Sequence, residues 1–244
     1  MRRNESPIGF HFDGEPIEQG WSPGAMETVW WLPRATASDY LMLANASRQP
    51  LSGSLVVSDA AGHSIRQAVN LGAAETQRLD LRAITQAAHL EGAEGGVTVL
   101  VPTGGGNLIV SHIVFDETAG MSATMKTFER NGAEKPRLHT MRAPMMALAN
   151  PDPVLQFPGG TKLVPQVFLR NTTSAPLDAA ASLNWRSPSQ SGTVALPEMA
   201  LAAGATRVLT LAASAGVPED AYWATVVLKY QGRHGDIVPI ATSF

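Results

Sequence analysis

Short apolar stretches, separated by residues that favour turns, recur along the whole chain. One run, Gln-Arg-Leu-Asp-Leu, alternates in a way that places Leu79 and Leu81 on the same face of a strand. A second alternating run places Leu209 and Leu211 on one face. Short strands bounded by Gly, Pro, Asn and Ser are typical of β-sandwiches and β-barrels. The pattern therefore predicts an all-β fold, with one short helix at residues 82–90.

The predicted strands fall into two groups with a polar stretch between them. The first group comprises residues 28–33, 40–45, 53–58, 64–71, 75–81, 95–102, 108–115 and 122–128. The second group comprises residues 145–149, 164–171, 179–184, 192–196, 206–211, 221–230 and 236–243. The polar residues 129–136 separate the groups and are typical of a linker between domains.

The second half of the chain repeats the first. Residues 41–51 align with residues 167–177, and both segments contain the pattern Asn-x-Ser/Thr-x-x-Pro-Leu. Two further matches follow in the same order, and the offset stays between 126 and 130 residues. Ordered matches at a nearly constant offset indicate an internal duplication. We therefore predict two tandem antiparallel β-sandwich domains, residues 1–130 and residues 131–244, the second of which includes the linker.

Each copy has a segment that the other lacks. Residues 6–12 form a strand-like stretch that precedes the first copy and matches nothing in the second. The second copy stops where the first continues from Phe115 to Phe128. Three alternatives are therefore open for the second sandwich: it lacks a last strand, it takes one from another segment such as the N-terminal one, as in donor-strand assembly, or the chain is part of a longer protein.

The repeated segments resemble a known class of module. The first copy carries Asn45 and Pro50 in a turn, followed by the runs VVSD, LDL and VSH at residues 56–59, 79–81 and 110–112. This set is similar to the immunoglobulin-like or fibronectin-like β-sandwich modules that recur in tandem in bacterial surface and secreted proteins. The second copy keeps the turn but has SLNW in place of VVSD. The resemblance implies a sandwich architecture, an interaction role and an extracellular or cell-surface location, and it assigns no catalytic or ligand-binding residue.

Composition and charge exclude several classes of function. Charged residues make up 16% of the chain and the formal net charge is −3, so nucleic acid is not an expected partner. The chain has no cysteine, which excludes disulfides and thiolate chemistry. No stretch reaches the roughly 18 apolar residues that a membrane-spanning helix needs. Residues 1–130 carry a net charge of −5 and residues 131–244 a net charge of +2, which favours attraction between modules or between neighbouring chains.

No motif in the sequence requires catalysis or a cofactor. The chain lacks the Gly-x-Ser-x-Gly turn of many serine hydrolases, and Ser111 and His112, as neighbours on a strand, point to opposite faces. His112 and Asp116 share a face, as do His11 and Asp13, but neither pair has further ligands nearby in the sequence. We therefore predict no catalytic residue, no metal site and no cofactor. An enzyme with a site between the two modules is the less favoured alternative.

Four tryptophans are candidate residues of a ligand or partner surface: Trp30, Trp31, Trp185 and Trp223. Consecutive strand residues face opposite ways, so one of Trp30 and Trp31 is expected in the core and the other outside it or at a module interface. An exposed indole can stack on a sugar ring. A carbohydrate-binding module, with a glycan as its partner, is therefore the alternative function.

Asn45 and Asn171 occupy equivalent positions in the two copies, and both match the N-glycosylation pattern, as does Asn4. An Asn side chain that closes a turn, with Pro50 or Pro176 after it, explains the same residues by local hydrogen bonding. We favour the turn interpretation.

The sequence as a whole favours a non-catalytic structural or interaction protein. Low charge, many turns, a duplicated module and the lack of a catalytic motif all agree with this class. Such a protein is expected to act outside the cytoplasm, by pairing strand edges or packing sheet faces with a protein partner or with copies of itself.

Overall fold

The fold is built almost entirely of antiparallel strands. The computed structural model describes residues 25–100, 108–118, 120–130, 134–143, 146–148, 165–210 and 216–243. The first half contains β1 (Ala25–Trp31), β2 (Ser38–Asn45), β3 (Leu51–Asp59), β4 (Ser64–Leu71), β5 (Thr76–Asp80), α1 (Leu81–Ala87), β6 (Glu94–Leu100), β7 (Leu108–Asp116), β8 (Met121–Thr124) and β9 (Phe128–Arg130). The second half contains β10 (Arg137–Arg142), β11 (Met146–Ala147), β12 (Pro165–Asn171), β13 (Leu177–Arg186), β14 (Ser191–Ala195), β15 (Met199–Leu201), β16 (Thr206–Thr210), β17 (Trp223–Gly232) and β18 (Ile237–Ser243).

The strands form four antiparallel sheets, which we name A to D. Sheet A has the order β4-β3-β6-β1-β9, and sheet B has the order β5-β2-β7-β8. Sheet C has the order β10-β17-β13-β14, with β11 on β17 and β15 on β13, and sheet D has the order β16-β12-β18. The predicted all-β class with antiparallel sheets is confirmed. Within the described residues, no helix has the length and apolar character needed to cross a lipid bilayer.

The two halves share one strand order. The order β4-β3-β6-β1 in sheet A corresponds to β14-β13-β17-β10 in sheet C, and β5-β2-β7 in sheet B corresponds to β16-β12-β18 in sheet D. The register agrees as well, since Asn45 faces Leu108 across β2 and β7, while Asn171 faces Ile237 across β12 and β18. Equivalent residues of the two halves can therefore be assigned one by one from the strand pairing.

Sheets A and B enclose the first hydrophobic core. Its buried cluster consists of Met26, Trp30, Leu41, Leu43, Leu51, Leu55, Val57, Val69, Leu71, Leu81, Val97, Val99 and Leu108. Trp30 is 1% exposed, and its indole N–H donates to the carbonyl oxygen of Ser58 at 2.6 Å, so its burial leaves no unpaired donor. Helix α1 follows Asp80, whose carboxylate accepts the Ala83 N–H at 3.1 Å as an N-cap. The predicted helix is thus confirmed, with bounds that differ by one to three residues.

Sheets C and D enclose the second core. Val167 and Leu169 alternate along β12 and share a cluster with Leu183, Val226 and Leu228 of sheet C. All five side chains are fully buried. Burial of large aliphatic side chains contributes about 1.5–3 kcal/mol each to folding, so this face of β12 is fixed towards sheet C.

The other face of sheet D packs against the outer face of sheet A. Phe168 and Arg170 alternate with the core residues of β12 and therefore point out of the second sandwich. The Phe168 ring meets Trp31 edge-on, with 5.4 Å between ring centroids, and β18 and β16 contact β1 and β6. The four sheets stack in the order B, A, D, C. Every residue of β1 is buried because sheet A has a partner on both faces.

Turns add backbone contacts between the two sandwiches. The Thr206 N–H donates to the carbonyl oxygen of Ala60 at 3.0 Å. Gly62 has a φ of +97°, and a Cβ at this position would lie 2.8 Å from the carbonyl oxygen of Ala203. Only glycine lets the two turns approach this closely.

Besides small shifts at strand ends, three strand predictions differ from the structure, and one of them concerns β15 (Met199–Leu201), which is not among the predicted strands. Residues 122–128, predicted as a single strand, lie in two strands, β8 and β9, because the chain crosses from sheet B to sheet A between them. Residues 137–142 are not among the predicted strands, yet they form β10. Four of these six residues are exposed, and the strand forms because its backbone pairs with six residues of β17.

Candidate functional site

A threonine, a histidine and an aspartate form a buried chain of hydrogen bonds in the first core. The hydroxyl of Thr28 in β1 lies 3.1 Å from Nδ1 of His112 in β7. Nε2 of His112 lies 2.5 Å from Oδ1 of Asp39 in β2. The same order of groups forms the nucleophile, base and acid of a hydrolase triad. The order of groups in this cluster therefore matches that of a catalytic triad.

Burial and hydrogen bonding assign this cluster to the core instead. Thr28 and His112 are 1% exposed and Asp39 is 0% exposed, so no substrate reaches the hydroxyl. That hydroxyl donates to the carbonyl oxygen of Lys126 at 3.1 Å, and Oδ2 of Asp39 accepts the Trp31 N–H at 2.6 Å. Each polar side-chain atom of the cluster thus has a protein partner, and the cluster joins sheet A to sheet B.

Of this cluster, the sequence pattern indicates only His112, which shares a predicted strand face with Asp116. The structure pairs His112 with Asp39, and Asp116 accepts a hydrogen bond from the Thr36 hydroxyl at 2.7 Å. Asp39 and Leu41 lie on the same buried face of β2. A charged residue at an apolar position of a strand is the signal that predicts a buried polar partner.

A second buried cluster lies between sheets A and D. Arg170 of β12 donates through Nη1 to the carbonyl oxygens of Thr28 and Val97, at 2.9 and 2.5 Å. Its Nη2 donates to the hydroxyl of Thr98 at 2.8 Å, and Nη1 lies 3.0 Å from Oε2 of Glu27. Arg170 is 4% exposed and Glu27 is 0% exposed. One arginine of the second sandwich thus binds two strands of the first.

The carboxylate of Glu27 balances part of the positive charge in this cluster. Burial lowers the pKa of the Arg170 guanidinium, the carboxylate of Glu27 raises it, and the charge of Arg130 lowers it. Nε of Arg130 lies 3.3 Å from Oε1 of Glu27, so two guanidinium groups share one carboxylate. Nε of Arg170 has no hydrogen-bond partner and lies against Gly96, where a Cβ would overlap the guanidinium. Protein atoms fill the cluster, and its role is to join the sandwiches.

The structure places two of the candidate tryptophans inside the protein. Trp30 belongs to the first core, and Trp31, 4% exposed, lies at the interface between the sandwiches, in agreement with their predicted opposite directions. Neither ring offers a surface to an external ligand, which corrects their assignment as candidate surface residues. Trp185 and Trp223 are half-buried. Trp185 packs on the second core and lies over Gly192, where a Cβ would come within 2.5 Å of the ring.

The two repeated asparagines close equivalent turns. Oδ1 of Asn45 accepts the N–H and hydroxyl of Ser47, and Oδ1 of Asn171 accepts the N–H and hydroxyl of Thr173, at 2.7 to 3.0 Å. The amide of Asn45 donates to two backbone carbonyls and that of Asn171 to three. With exposed fractions of 2% and 0%, neither nitrogen is accessible to a glycan. The turn interpretation is confirmed for both, while Asn4 lies outside the described residues.

Titratable side chains do not assemble into a metal centre in the part of the chain that the structure describes. His11 and Asp13 lie outside that part. The carboxylate of Glu134 accepts the His234 N–H at 2.8 Å and lies 3.7 Å from Nε2 of His139. The bond from the His234 backbone holds the pKa of Glu134 below its ordinary value. This group joins the start of β10 to the turn between β17 and β18.

An apolar area lies on the outer face of sheet B. Its residues are Tyr40 and Met42 of β2 and Ile109, Ile113 and Phe115 of β7. Cross-strand pairing of Tyr40 with Ile113 and alternation along each strand put all five on one face. Ile109 is 45% exposed and the other four are half-buried, and the rings of Tyr40 and Phe115 lie 5.6 Å apart. We call these five residues the sheet B patch.

Polar side chains surround the sheet B patch. Arg78 of β5 lies over the Tyr40 ring, 4.7 Å from its centroid, and Asp80 is exposed on the same strand. Ser122 and Thr124 are exposed on β8, at the opposite border. Sheet B is an outermost layer of the stack, so in the described chain no sheet packs on this face. Ser111 lies within the patch, opposite Met42. A mainly apolar area with a polar rim is typical of a protein interaction surface.

A proline interrupts the free edge of β18. This strand pairs with β12 on one side, and no strand of the described residues pairs with its other side. Leu169 and Pro239 face each other across the pair. Because proline has no N–H, they form a non-hydrogen-bonded pair, and the Pro239 nitrogen points towards the free edge. The edge lacks a donor near its centre, which disfavours the addition of another strand.

The comparisons with known proteins add no relative. No protein-family model matches the chain, and searches of the curated proteins and of the solved structures find no match either. Function is therefore inferred from the residues and their geometry alone.

Proposed function

We propose that the chain is a non-catalytic structural protein that associates with copies of itself through the outer face of sheet B. The sheet B patch carries this proposal, because it places five apolar side chains on two adjacent strands of an outermost sheet. Apolar surface gains roughly 25 cal/mol for each Å² removed from water. Contiguous exposed apolar areas on folded proteins mark contact sites.

The polar clusters support a role without catalysis. The Thr28, His112 and Asp39 cluster is closed to solvent, with its polar atoms bonded to one another and to backbone groups. The cluster around Arg170 is filled by the protein itself. Both clusters hold sheets together. Action at the cell surface or outside the cell belongs to the same proposal and is supported by the module resemblance alone.

The solution mass of the protein tests this proposal. Light scattering over a wide dilution series compares the wild type with Ile109→Arg, which puts a charge into the sheet B patch at an exposed position and leaves both cores intact. Ala68→Arg is the matched control, since Ala68 is exposed on β4, away from the patch. We expect the mass of the wild type and the control to rise with concentration, and Ile109→Arg to stay monomeric. A monomeric wild type at every concentration, or oligomers that survive Ile109→Arg, contradicts the proposal.

A further inference from the structure

We infer that the sheet B patch binds the outer face of sheet C on a second copy of the chain, so that copies stack head to tail. This inference rests on the proposed function, because it names the partner surface of the same patch. Three observations carry it: the equivalence of the patch to a face that is already docked, the equivalence of the receiving faces, and the charge of the two halves.

The sheet B patch is equivalent to the face with which the second sandwich packs on the first. Because Asn45 faces Leu108 and Asn171 faces Ile237, Met42 corresponds to Phe168 and Ile109 corresponds to Val238. Phe168 packs on Trp31 of sheet A, and both Phe168 and Val238 are fully buried. One copy of this face is therefore covered within the chain, whereas no sheet among the described residues packs on its equivalent in the first sandwich, the sheet B patch.

In the part of the chain that the structure describes, the surface that receives sheet D also has an equivalent on which no sheet packs. Sheet D packs on the outer face of sheet A, and sheet C is the counterpart of sheet A in strand order. Val56 of β3 corresponds to Ser182 of β13. Val56 faces Thr98 in sheet A, and Ser182 faces Val227 in sheet C. Val227 is therefore the equivalent of Thr98, the residue whose hydroxyl binds Arg170. Sheet C is the other outermost layer of the stack, and the side chain of Val227 is half-buried. The same type of contact can thus continue from one copy to the next.

The repeated contact differs from the one within the chain in its charges. Arg142 stands at the position of Glu27, and Ala44 at the position of Arg170, so the buried ion pair is absent between copies. In the repeated contact Arg142 lies opposite Ala44 and has no carboxylate partner there, so covering its charge costs desolvation energy that no ion pair offsets. We expect the association between copies to be reversible and weaker than the contact within the chain.

The overall charge favours the same pairing of faces. Residues 1–130 carry a net charge of −5 and residues 131–244 a net charge of +2, so halves of opposite net charge come together when sheet B of one copy lies against sheet C of the next. Ile109, 45% exposed, and Leu138, 68% exposed, lie on these two outer faces. A contact between different faces does not close on itself and produces a linear stack. The competing arrangement, two sheet B patches in contact, closes as a dimer.

Two single variants and their mixture test the inference by sedimentation velocity. Ile109→Arg blocks the sheet B patch and leaves the outer face of sheet C free, whereas Val227→Arg blocks the face of sheet C and leaves the patch free. We expect the wild type and Ala68→Arg to form species that grow with concentration, and each blocked variant to be monomeric. Mixed in equal amounts, the two variants still offer one intact pair of faces and are expected to form a one-to-one complex that does not grow.

The outcomes separate this inference from the proposed function. If Ile109→Arg is monomeric while Val227→Arg still associates, the patch is a contact surface but its partner is not sheet C, and the head-to-tail stack is overturned. A discrete wild-type dimer that persists in Val227→Arg shows patch-to-patch contact. If the mixture forms no complex, the stack is overturned as well. A monomeric wild type overturns both.

Discussion

Arg170 and Glu27 form an ion pair, with 3.0 Å between Nη1 and Oε2, in which each partner belongs to a different sandwich and neither is open to solvent. Such a pair contributes little net stability over an apolar pair of similar volume, but losing one partner leaves a buried charge uncompensated. The pair therefore fixes the relative position of sheets A and D more than it adds to the strength of their contact.

Replacing one member of this pair is expected to destabilise the whole protein. Arg170→Met leaves the carboxylate of Glu27 buried with only Arg130 beside it, which costs about 3–5 kcal/mol in the free energy of unfolding. Urea denaturation measures the loss. Arg207→Met, at an exposed position of β16, is the control and is expected to change little. The double variant Glu27→Gln with Arg170→Met is expected to be more stable than Arg170→Met alone, and equal stability of the two contradicts the role of the ion pair.

Two adjacent glycines of β6 are expected to differ in their coupling to Arg170. A Cβ at Gly96 would overlap the Arg170 guanidinium, whereas a Cβ at Gly95 would overlap the carbonyl of Ser58 and the ring of Trp30. Both alanine variants are expected to lose roughly 1–3 kcal/mol of stability by overpacking. In an Arg170→Met background, the cost of Gly96→Ala falls and that of Gly95→Ala does not. A double-mutant cycle from urea denaturation measures this, and equal costs in both backgrounds would reject the predicted contact.

Both turn asparagines are expected to stabilise the fold, and the asparagine that donates to more backbone carbonyls is expected to contribute more stability. Asn171→Ala leaves three backbone carbonyls without their donor, and Asn45→Ala leaves two. Each unsatisfied buried group costs about 1–3 kcal/mol, so both variants lose stability and Asn171→Ala loses more. Thermal or urea unfolding provides the comparison. Asn171→Asp keeps the acceptor that Thr173 uses but loses the donors, so a wild-type stability for that variant contradicts the assignment.

The stability of the second sandwich is expected to fall at alkaline pH. Burial raises the pKa of Tyr230 to about 12, above the value near 10 of an exposed tyrosine. The folded state thus holds the phenol proton more tightly than the unfolded chain. The resulting stability is fully present below about pH 10 and is lost as the pH rises through 12. Urea unfolding between about pH 8 and pH 11.5 is expected to show a shallower fall for Tyr230→Phe than for the wild type or for Tyr222→Phe.

The strands that could be predicted carry either an alternation with a period of two or a short continuous apolar run. The repeated turn at Asn45 and Asn171 fixes the alignment of the two halves, and the pairing of both asparagines confirms the shared register. Strand β10 is not predicted, because its residues include three basic side chains and only its backbone pairing with β17 makes it a strand. Local pattern thus predicts strands with a buried face, and it does not predict a strand that depends on its neighbour.

The polar contacts between distant strands could not be predicted from one sequence. Arg170 and Glu27 are far apart along the chain, and neither sequence segment indicates that the other contains its partner. A weaker signal exists: Arg170 follows three apolar residues of β12, which indicates a buried arginine without saying what binds it. In β7 three outward positions, Ile109, Ile113 and Phe115, are apolar, and so are three inward ones, Leu108, Val110 and Val114. Apolar residues on both faces of a strand indicate a cover on both faces, and this is the sequence signal of the sheet B patch.

Sheets A and D each have both faces covered, one by the sandwich partner and one by the other half of the chain. A gene fragment encoding either half alone would expose Trp31 and Val29, or Phe168 and Val238, to water. The segment that can be moved intact between proteins by recombination is therefore the pair of sandwiches.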